Sequence, residues 1–469
     1  YIRNLKKFRF AFRIRIESKS GLNQRLPLRG SWRGEAATEG ANTKGNTIMK
    51  FIKTPVKGMC DMLPADMRLR EHILQMIKTS YAAYGFMQIE TPVMEHIENL
   101  TSKQGGDNEK LIFKVMKRGA DLTRAIDAGK QEFADNGLRY DLTVPLARYY
   151  ANNKEKLPTP FKALQIGNVW RADNPQKGRF RQFTQCDIDI LGDDTNLAEI
   201  ELVAATSDML SQIFSEVGIT DFTIHINDRQ ILRAAALQAG FDEEAIGSVL
   251  ISLDKYDKIG LDGIRKELIE NGYAEEVVTR YLSIYESLQG DVTCGDFCKD
   301  IAEEYLDRKV VDGVDDIISC AKAMINEHVK ITFDPTLVRG MGYYTGTIFE
   351  ISIDGYNFSI AGGGRYDKMI GKFCGQDVSA CGFSIGFERI ITILKDKLET
   401  VTPVSEKNLA ILIGKNVSLD RKLEIFKRAK ALRAEGTTVT IQPMRKNMKQ
   451  QIEKLEAEGF KEFEKVYND

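Results

Sequence analysis

Residues 163–190 read ALQIGNVWRADNPQKGRFRQFTQCDIDI, and their patterning decides the architecture. Two runs with a two-residue period, 163–171 and 180–190, flank a polar, glycine-containing loop at 173–178. Successive side chains of a strand point to opposite faces, so such runs around such a loop predict a long antiparallel hairpin. It carries an arginine near the loop end of each strand, Arg171 and Arg179. Upstream, apolar residues recur at helical spacing over 68–84 (Leu69, Ile73, Met76, Ile77, Tyr81), and Gly85 is placed to end that helix. Residues 86–91 alternate as a strand up to Pro92, and 142–150 read as a second helix. Downstream, 196–217 are helical and 222–226 form another strand.

From Arg229 to Glu327 helical periodicity with charged faces takes over, which reads as a helical insertion. Strand patterns return at 347–353 and 358–361, the glycine run 362–364 follows, and a helix begins near Gly386. A charged, proline-bearing stretch at 401–407 reads as a linker. Strand, helix, strand and helix then alternate at 409–413, 419–433, 437–441 and 448–458, which predicts a small α/β domain. The chain ends soon afterwards, so this domain reads as cut short.

The chain has 469 residues, 43% of them hydrophobic, a length that suggests about three domains and excludes disorder over most of it. No apolar run approaches the roughly 18 residues a membrane helix needs. Seven scattered cysteines predict a reducing compartment without a disulfide framework. Cys294 and Cys298 lack a second pair of Cys or His nearby, so zinc is not expected. The net charge of −1 hides a polarised chain: residues 1–48 hold eleven Lys/Arg and three Asp/Glu, a net +8, which leaves −9 for the rest. Three readings of this basic stretch stay open: translated upstream sequence ahead of a natural start at Met49, an organelle transit peptide, and an RNA-binding arm.

The chemistry-bearing residues are cationic. There is no P-loop, and the glycine run continues into Arg365 and Tyr366 without the lysine a P-loop supplies. A phosphate site must therefore use side chains, with Arg171, Arg179 and Arg389 as candidates. The guanidinium fork is permanently charged and pairs two oxygens at once. Each arginine alone reads more simply as half of a surface ion pair.

In order, GFMQIETP at 85–92, NVWRAD at 168–173 with GRFRQF at 178–183, and GFSIGFER at 382–389 resemble motifs 1, 2 and 3 of the class II aminoacyl-tRNA synthetases. LVRGMGYY at 337–344, AGGGRYD at 361–367 and LRYDLTVP at 138–145 are similar to signatures of the histidyl-tRNA synthetases. The resemblance runs from about Gly58 to Arg389 and continues more weakly beyond. It implies an α/β (α+β) fold built on the class II antiparallel sheet flanked by helices, with a helical insertion. The expected division is an extension at 1–48, a catalytic domain at 49–228 and 328–400, the insertion at 229–327, the linker at 401–407 and a partial anticodon-binding-like domain at 408–469.

The resemblance also implies the reaction: L-histidine and ATP, with Mg2+, give histidyl-adenylate and pyrophosphate, and the histidyl group then moves to the terminal ribose of tRNA(His). A substrate carboxylate is ionised at pH 7, with a reference pKa near ~3.5, so attack on the α-phosphate needs no base. It needs relief of anion repulsion and in-line geometry. By resemblance, Arg171 clamps the α-phosphate, Arg179 and Arg389 hold the other phosphates, and Asp173 lies near the nucleotide. Arg339 contacts both the α-phosphate and the histidine carboxylate. Asp141, Thr143 and Gln185 match positions that bind the α-ammonium, and Asp189 and Tyr344, beside Tyr343, match those facing the imidazole. Without the resemblance, the two tyrosines read as core or rim aromatics and Asp189 as a turn or edge-strand carboxylate.

Departures from the family pattern are Gly342 where many members carry Asp, and Asp141 and Asp189 where some carry the longer Glu. Motif 1 of this class builds a dimer interface, so a homodimer with 85–92 near its two-fold axis is expected. The cytoplasm is the expected compartment, or a mitochondrion or other organelle if 1–48 is a transit peptide. The family's relatives also include a histidine-sensing regulatory subunit of ATP phosphoribosyltransferase, the alternative reading.

Overall fold

The computed structural model describes residues 51–101, 106–129, 132–175, 179–286, 290, 292–340, 342–397 and 408–467. The expectations for 1–48 and for the linker at 401–407 lie outside the described residues. Residues 51–54 hold no helix or strand and belong to a different unit from the fold that begins at Pro55.

Helix α1 (Pro64–Ala83) starts where Pro64 sets the first helical φ and the Asp66 carboxylate accepts from the Leu63 N–H at 3.4 Å. It stops at Tyr84, and Gly85 follows at φ +81°, a conformation that costs glycine little. Its stripe of Leu69, Ile73, Ile77 and Tyr81 is buried, and each such side chain contributes about 1.5–3 kcal/mol. Strand β1 (Met87–Ile89) follows. A three-stranded flap then forms from β2 (Met94–His96), β3 (Lys114–Met116) and β4 (Ala134–Leu138), with α2 (Ile97–Leu100) and α3 (Gly119–Asp127) between them. The sequence pattern of β4, ADNGL, is poor strand material. Pairing on both sides holds it in place.

After α4 (Thr143–Asn153) comes the hairpin, β5 (Phe161–Trp170) and β6 (Gln182–Leu191), paired over ten residues from Phe161↔Leu191 to Trp170↔Gln182. Helix α5 (Leu197–Ser215) and strand β7 (Phe222–Asp228) follow. Helices α6 (Arg229–Ala239), α7 (Ile246–Leu253), α8 (Tyr256–Glu270), α9 (Glu275–Glu286), α10 (Cys294–Cys298) and α11 (Arg308–Lys322) occupy the expected helical stretch. They lead into β8 (Val329–Phe333), which pairs parallel with β7. So the helical segment is the crossover of a parallel pair, and α11 packs on α5, β7 and β8. Strand β8 escaped the sequence reading: its alternation is regular, Val329, Ile331 and Phe333 buried, but it directly follows the helical run.

Strand β9 (Thr347–Ser352) is followed by β10 (Ala361–Arg365), α12 (Asp367–Cys374), β11 (Ala380–Ile385) and α13 (Phe387–Lys397). Here the expectation for 358–361 needs correction, because the strand is Ala361 with the glycine run that follows it, and 358–360 precede it. The resulting eight-stranded sheet runs β1-β5-β6-β11-β10-β9-β7-β8, antiparallel except for its two outer pairs. Helices α1, α5 and α13 bury one of its faces.

The C-terminal residues form β12 (Asn408–Ile413), α14 (Leu419–Ala434), β13 (Thr438–Pro443), α15 (Met448–Ala457) and β14 (Glu462–Val466). Although this domain reads as cut short, one strand does form after Phe460: β14 pairs parallel with β12 opposite β13. Ile411, Ile425, Val439 and Val466 pack on one face and Ala410, Leu412 and Leu455 on the other. β14 reads poorly as EFEKV because it is an edge strand, where charge is common.

Asp228 ends β7 and caps α6, its Oδ1 accepting from the Gln230 N–H at 2.7 Å. Burial, with Glu199 nearby, pushes its pKa up to about 7. Between about pH 4 and 7 the folded chain holds a proton that the unfolded chain has released, so stability falls as pH rises through that window. Asp228→Asn keeps the cap and removes the charge. Urea unfolding is expected to show the variant gaining on the wild type from pH 4 to 7 and levelling above; a difference independent of pH would contradict this.

Candidate active site

The open face of the sheet centre, over β6, β10 and β11, carries a cleft of about 520 Å³. Gln185, Asp187 and Asp189 alternate along β6 and therefore share the face that lines it. Across from them in register stand Ser384 (to Asp187) and Gly382 (to Asp189) on β11. Glycine is required at 382: a Cβ would sit 2.0 Å from Asp189 Oδ1. At 362 a Cβ would meet the Arg339 guanidinium at 2.5 Å, and at 363 it would meet the Gly382 carbonyl oxygen at 1.9 Å. These contacts explain a glycine run inside a strand. Every site residue expected from the sequence lines this one cleft: Asp141, Thr143, Gln185, Asp189, Tyr343 and Tyr344 with Arg171, Asp173, Arg179, Arg339 and Arg389.

One end is anionic. Asp141, Asp187 and Asp189 are each at most 5% exposed. Asp141 accepts from the Val144 N–H at 3.1 Å at the head of α4, where Thr143 is the first residue. Asp189 Oδ1 accepts from the Tyr366 hydroxyl at 2.5 Å. Burial lifts all three carboxyl pKa values, that of Asp189 to about 7, and repulsion from neighbouring carboxylates lifts Asp187 and Asp189 further. Three desolvated acceptors form a receptor for a compact cation. Tyr343 and Tyr344 close over this end, their ring centroids 4.8 Å apart.

The other end is cationic. The Arg171 guanidinium lies between the rings of Tyr140 (4.3 Å) and Phe183 (5.1 Å), and its Nε donates to the Tyr140 carbonyl at 3.1 Å. Arg389 enters from α13, donates to the Ser359 carbonyl and hydroxyl, and lies 5.5 Å from the Phe358 ring. Arg339 pairs with Glu350, and its buried Nε has no hydrogen-bond partner among the described residues. Arg179 is the most exposed, 3.5 Å from Asp173. A cation receptor beside four guanidiniums suits a ligand with an ammonium at one end and phosphates at the other.

The model of the histidyl-tRNA synthetase family matches residues 58–390. The chain belongs to that family. The histidine–tRNA ligase of Leifsonia xyli subsp. xyli is 42% identical over 87% of this chain and 94% of its own length. The probable histidine–tRNA ligase of Tropheryma whipplei strain Twist is 39% identical over 88% and 95%. The crystal structure of histidyl-tRNA synthetase from Nostoc sp. PCC 7120 superposes with a TM-score of 0.70 at 26% identity, over 88% of this chain and 90% of that one. A Bacillus halodurans structure described as an ATP phosphoribosyltransferase regulatory subunit/histidyl-tRNA synthetase has the same TM-score at 20% identity and shows the fold alone.

The synthetase cleft also holds residues that the sequence reading passed over. Asp187 carried a signal, because it lies midway between Gln185 and Asp189 at strand spacing. Tyr366 sits inside a quoted signature and Glu350 on a predicted strand, yet neither contact is visible before the sheet closes. Asp254 and Lys258, from the α7–α8 region, reach the rim and had no local signal. Glu388 lies inside the motif at 382–389, yet its partners are distant in sequence: it accepts two bonds from Arg70 on α1 (2.6 and 2.8 Å) and one from the Thr184 N–H at 3.2 Å, locking α13 to the hairpin.

Proposed function

We propose that this cleft activates L-histidine with ATP and transfers the product to tRNA(His). The observation that carries the reading is the division of one cleft into a buried carboxylate end and a guanidinium end. The histidine ammonium and imidazole face Asp141, Thr143, Gln185, Asp189, Tyr343 and Tyr344. The histidine carboxylate and the α-phosphate meet at Arg339 and Arg171, and Arg179 and Arg389 take the outer phosphates, with Asp173 beside the nucleotide. A carboxylate oxygen attacks the α-phosphorus, the bond to the bridging oxygen breaks, and pyrophosphate leaves with that electron pair. A hydroxyl of the terminal tRNA ribose then attacks the activated carbonyl and AMP departs. Mg2+ enters as part of Mg·ATP; among the described residues no group of three or more His, Cys, Asp or Glu side chains is arranged to hold a metal ion.

A homodimer is part of this reading, supported by the exposed apolar side chains of Met87, Val93 and Met94 beside motif 1. The cytoplasm is its compartment, supported by seven unpaired cysteines. Among the described residues no helix is long and apolar enough to cross a membrane. The test is exchange of labelled pyrophosphate into ATP by the full chain. Exchange that requires histidine, and no other amino acid, is the expected result. A folded chain that binds histidine but exchanges nothing would favour a histidine-sensing role.

A further inference from the structure

Behind the ammonium-facing residues lies a hydrogen-bonded chain that runs between two strands. Gln185 Nε2 donates to Ser384 Oγ at 2.9 Å, and the Ser384 hydroxyl donates to Asp187 Oδ1 at 2.6 Å. Gln185 Oε1 is buried and has no partner among the described residues. Asp187 and Ser384 face each other in register across β6 and β11, while Gln185 is two residues from Asp187 on the same face. The direction of the chain follows from what each group offers. The Ser384 hydroxyl gives its one proton to Asp187 Oδ1 and so offers Gln185 only a lone pair. The amide then turns its NH2 toward Ser384, which leaves its carbonyl oxygen on the opposite side, buried and without a partner among the described residues. An amide oxygen attracts an ammonium; the reverse orientation would present N–H groups and repel it.

We infer that Asp187 and Ser384 are positioning residues that fix the Gln185 amide with its oxygen toward the substrate α-ammonium, and so set the preference for an amino acid over its des-amino analogue. The inference rests on the histidine-activating reading of the cleft. Asp187 pays a desolvation cost here: burial and the neighbouring carboxylates of Asp189 and Asp141 lift its pKa, against the Ser384 hydrogen bond and the charge of Arg171. A bound ammonium supplies the missing counter-charge. Asp187 is 4% exposed and Gln185 8%, so water does little to blunt the selection.

The experiment compares L-histidine with imidazolepropionate, which keeps the ring and carboxylate but lacks the ammonium, by calorimetry on the full chain. Ser384→Ala frees the amide to turn and is expected to weaken histidine binding about tenfold to hundredfold, the scale of one hydrogen bond to a charged group. Imidazolepropionate binding stays as in the wild type. Asp187→Asn can donate to Ser384 and so reverse the chain, giving the same selective loss. Ser384→Thr keeps the hydroxyl and restores the preference. In pyrophosphate exchange the loss falls on KM for histidine, not on kcat or KM for ATP. If folded Ser384→Ala and Asp187→Asn proteins both keep the wild-type ratio of the two ligands, the inference is overturned. Because binding is read directly, an absence of exchange in the wild type would count against the activation reading and leave this one to its own result.

Discussion

Arg339→Ala is expected to reduce histidine-dependent pyrophosphate exchange by about 10²- to 10³-fold, a loss of roughly 3–4 kcal/mol of transition-state stabilisation. The effect is large because the guanidinium is positioned before substrate arrives. Glu350 holds one side of it, and the missing Cβ of Gly362 makes room for it against the floor of the cleft. Its side chain is 22% exposed, so the field it applies to a developing charge is weakly screened. Truncation also leaves Glu350 without its counter-ion in a cleft proposed to bind polyphosphate, which adds repulsion. Arg179→Ala makes the contrast: that side chain is 58% exposed, and surface charges contribute little. Exchange rates at saturating ATP and histidine, with melting curves to confirm folding, decide the matter. An Arg339→Ala protein within tenfold of the wild type would remove Arg339 from the proposed mechanism.

Arg365→Ala is expected to lower stability by about 3–5 kcal/mol, the range for breaking a buried ion pair by removing one partner. Although Arg365 lies in a signature of the family, it does not line the cleft. Its Nε and Nη2 donate to the two carboxylate oxygens of Glu199 at 2.6 and 2.7 Å, and Nη2 also donates to the Thr195 carbonyl at 2.8 Å. The Glu199 side chain is 2% exposed, so truncation strands a charge out of water at the start of α5. The double variant Arg365→Met, Glu199→Leu removes both charges and is expected to recover much of the loss. Urea unfolding of the single and double variants measures this coupling. A cost below about 1 kcal/mol for Arg365→Ala would show that the pair is not the tie between β10 and α5 that its geometry describes.

Each element was legible in proportion to how local its cause is. The β5–β6 hairpin and α1 declare themselves because their periodicities and terminating residues lie within a dozen positions of one another. β10 does not: AGGGR has almost no strand propensity, and its conformation follows from the Arg339 side chain on one face and the β11 backbone alongside. β14 and β8 were lost for related reasons, one masked by edge charge and the other by the helices before it.

What the sequence determined by itself was the order of chemical groups: a hairpin with arginines at its loop, signatures around Arg339 and Asp141, a glycine-spaced strand leading to Arg389, and through these the family. What only the tertiary structure decided was which groups act on one another. Asp187 becomes a partner of Ser384, Glu388 of Arg70, and Arg365 of Glu199, across 197, 318 and 166 residues of chain. No periodicity encodes such pairs. They exist because closing the sheet removes water from polar groups that must then find partners among whatever the register brings opposite them.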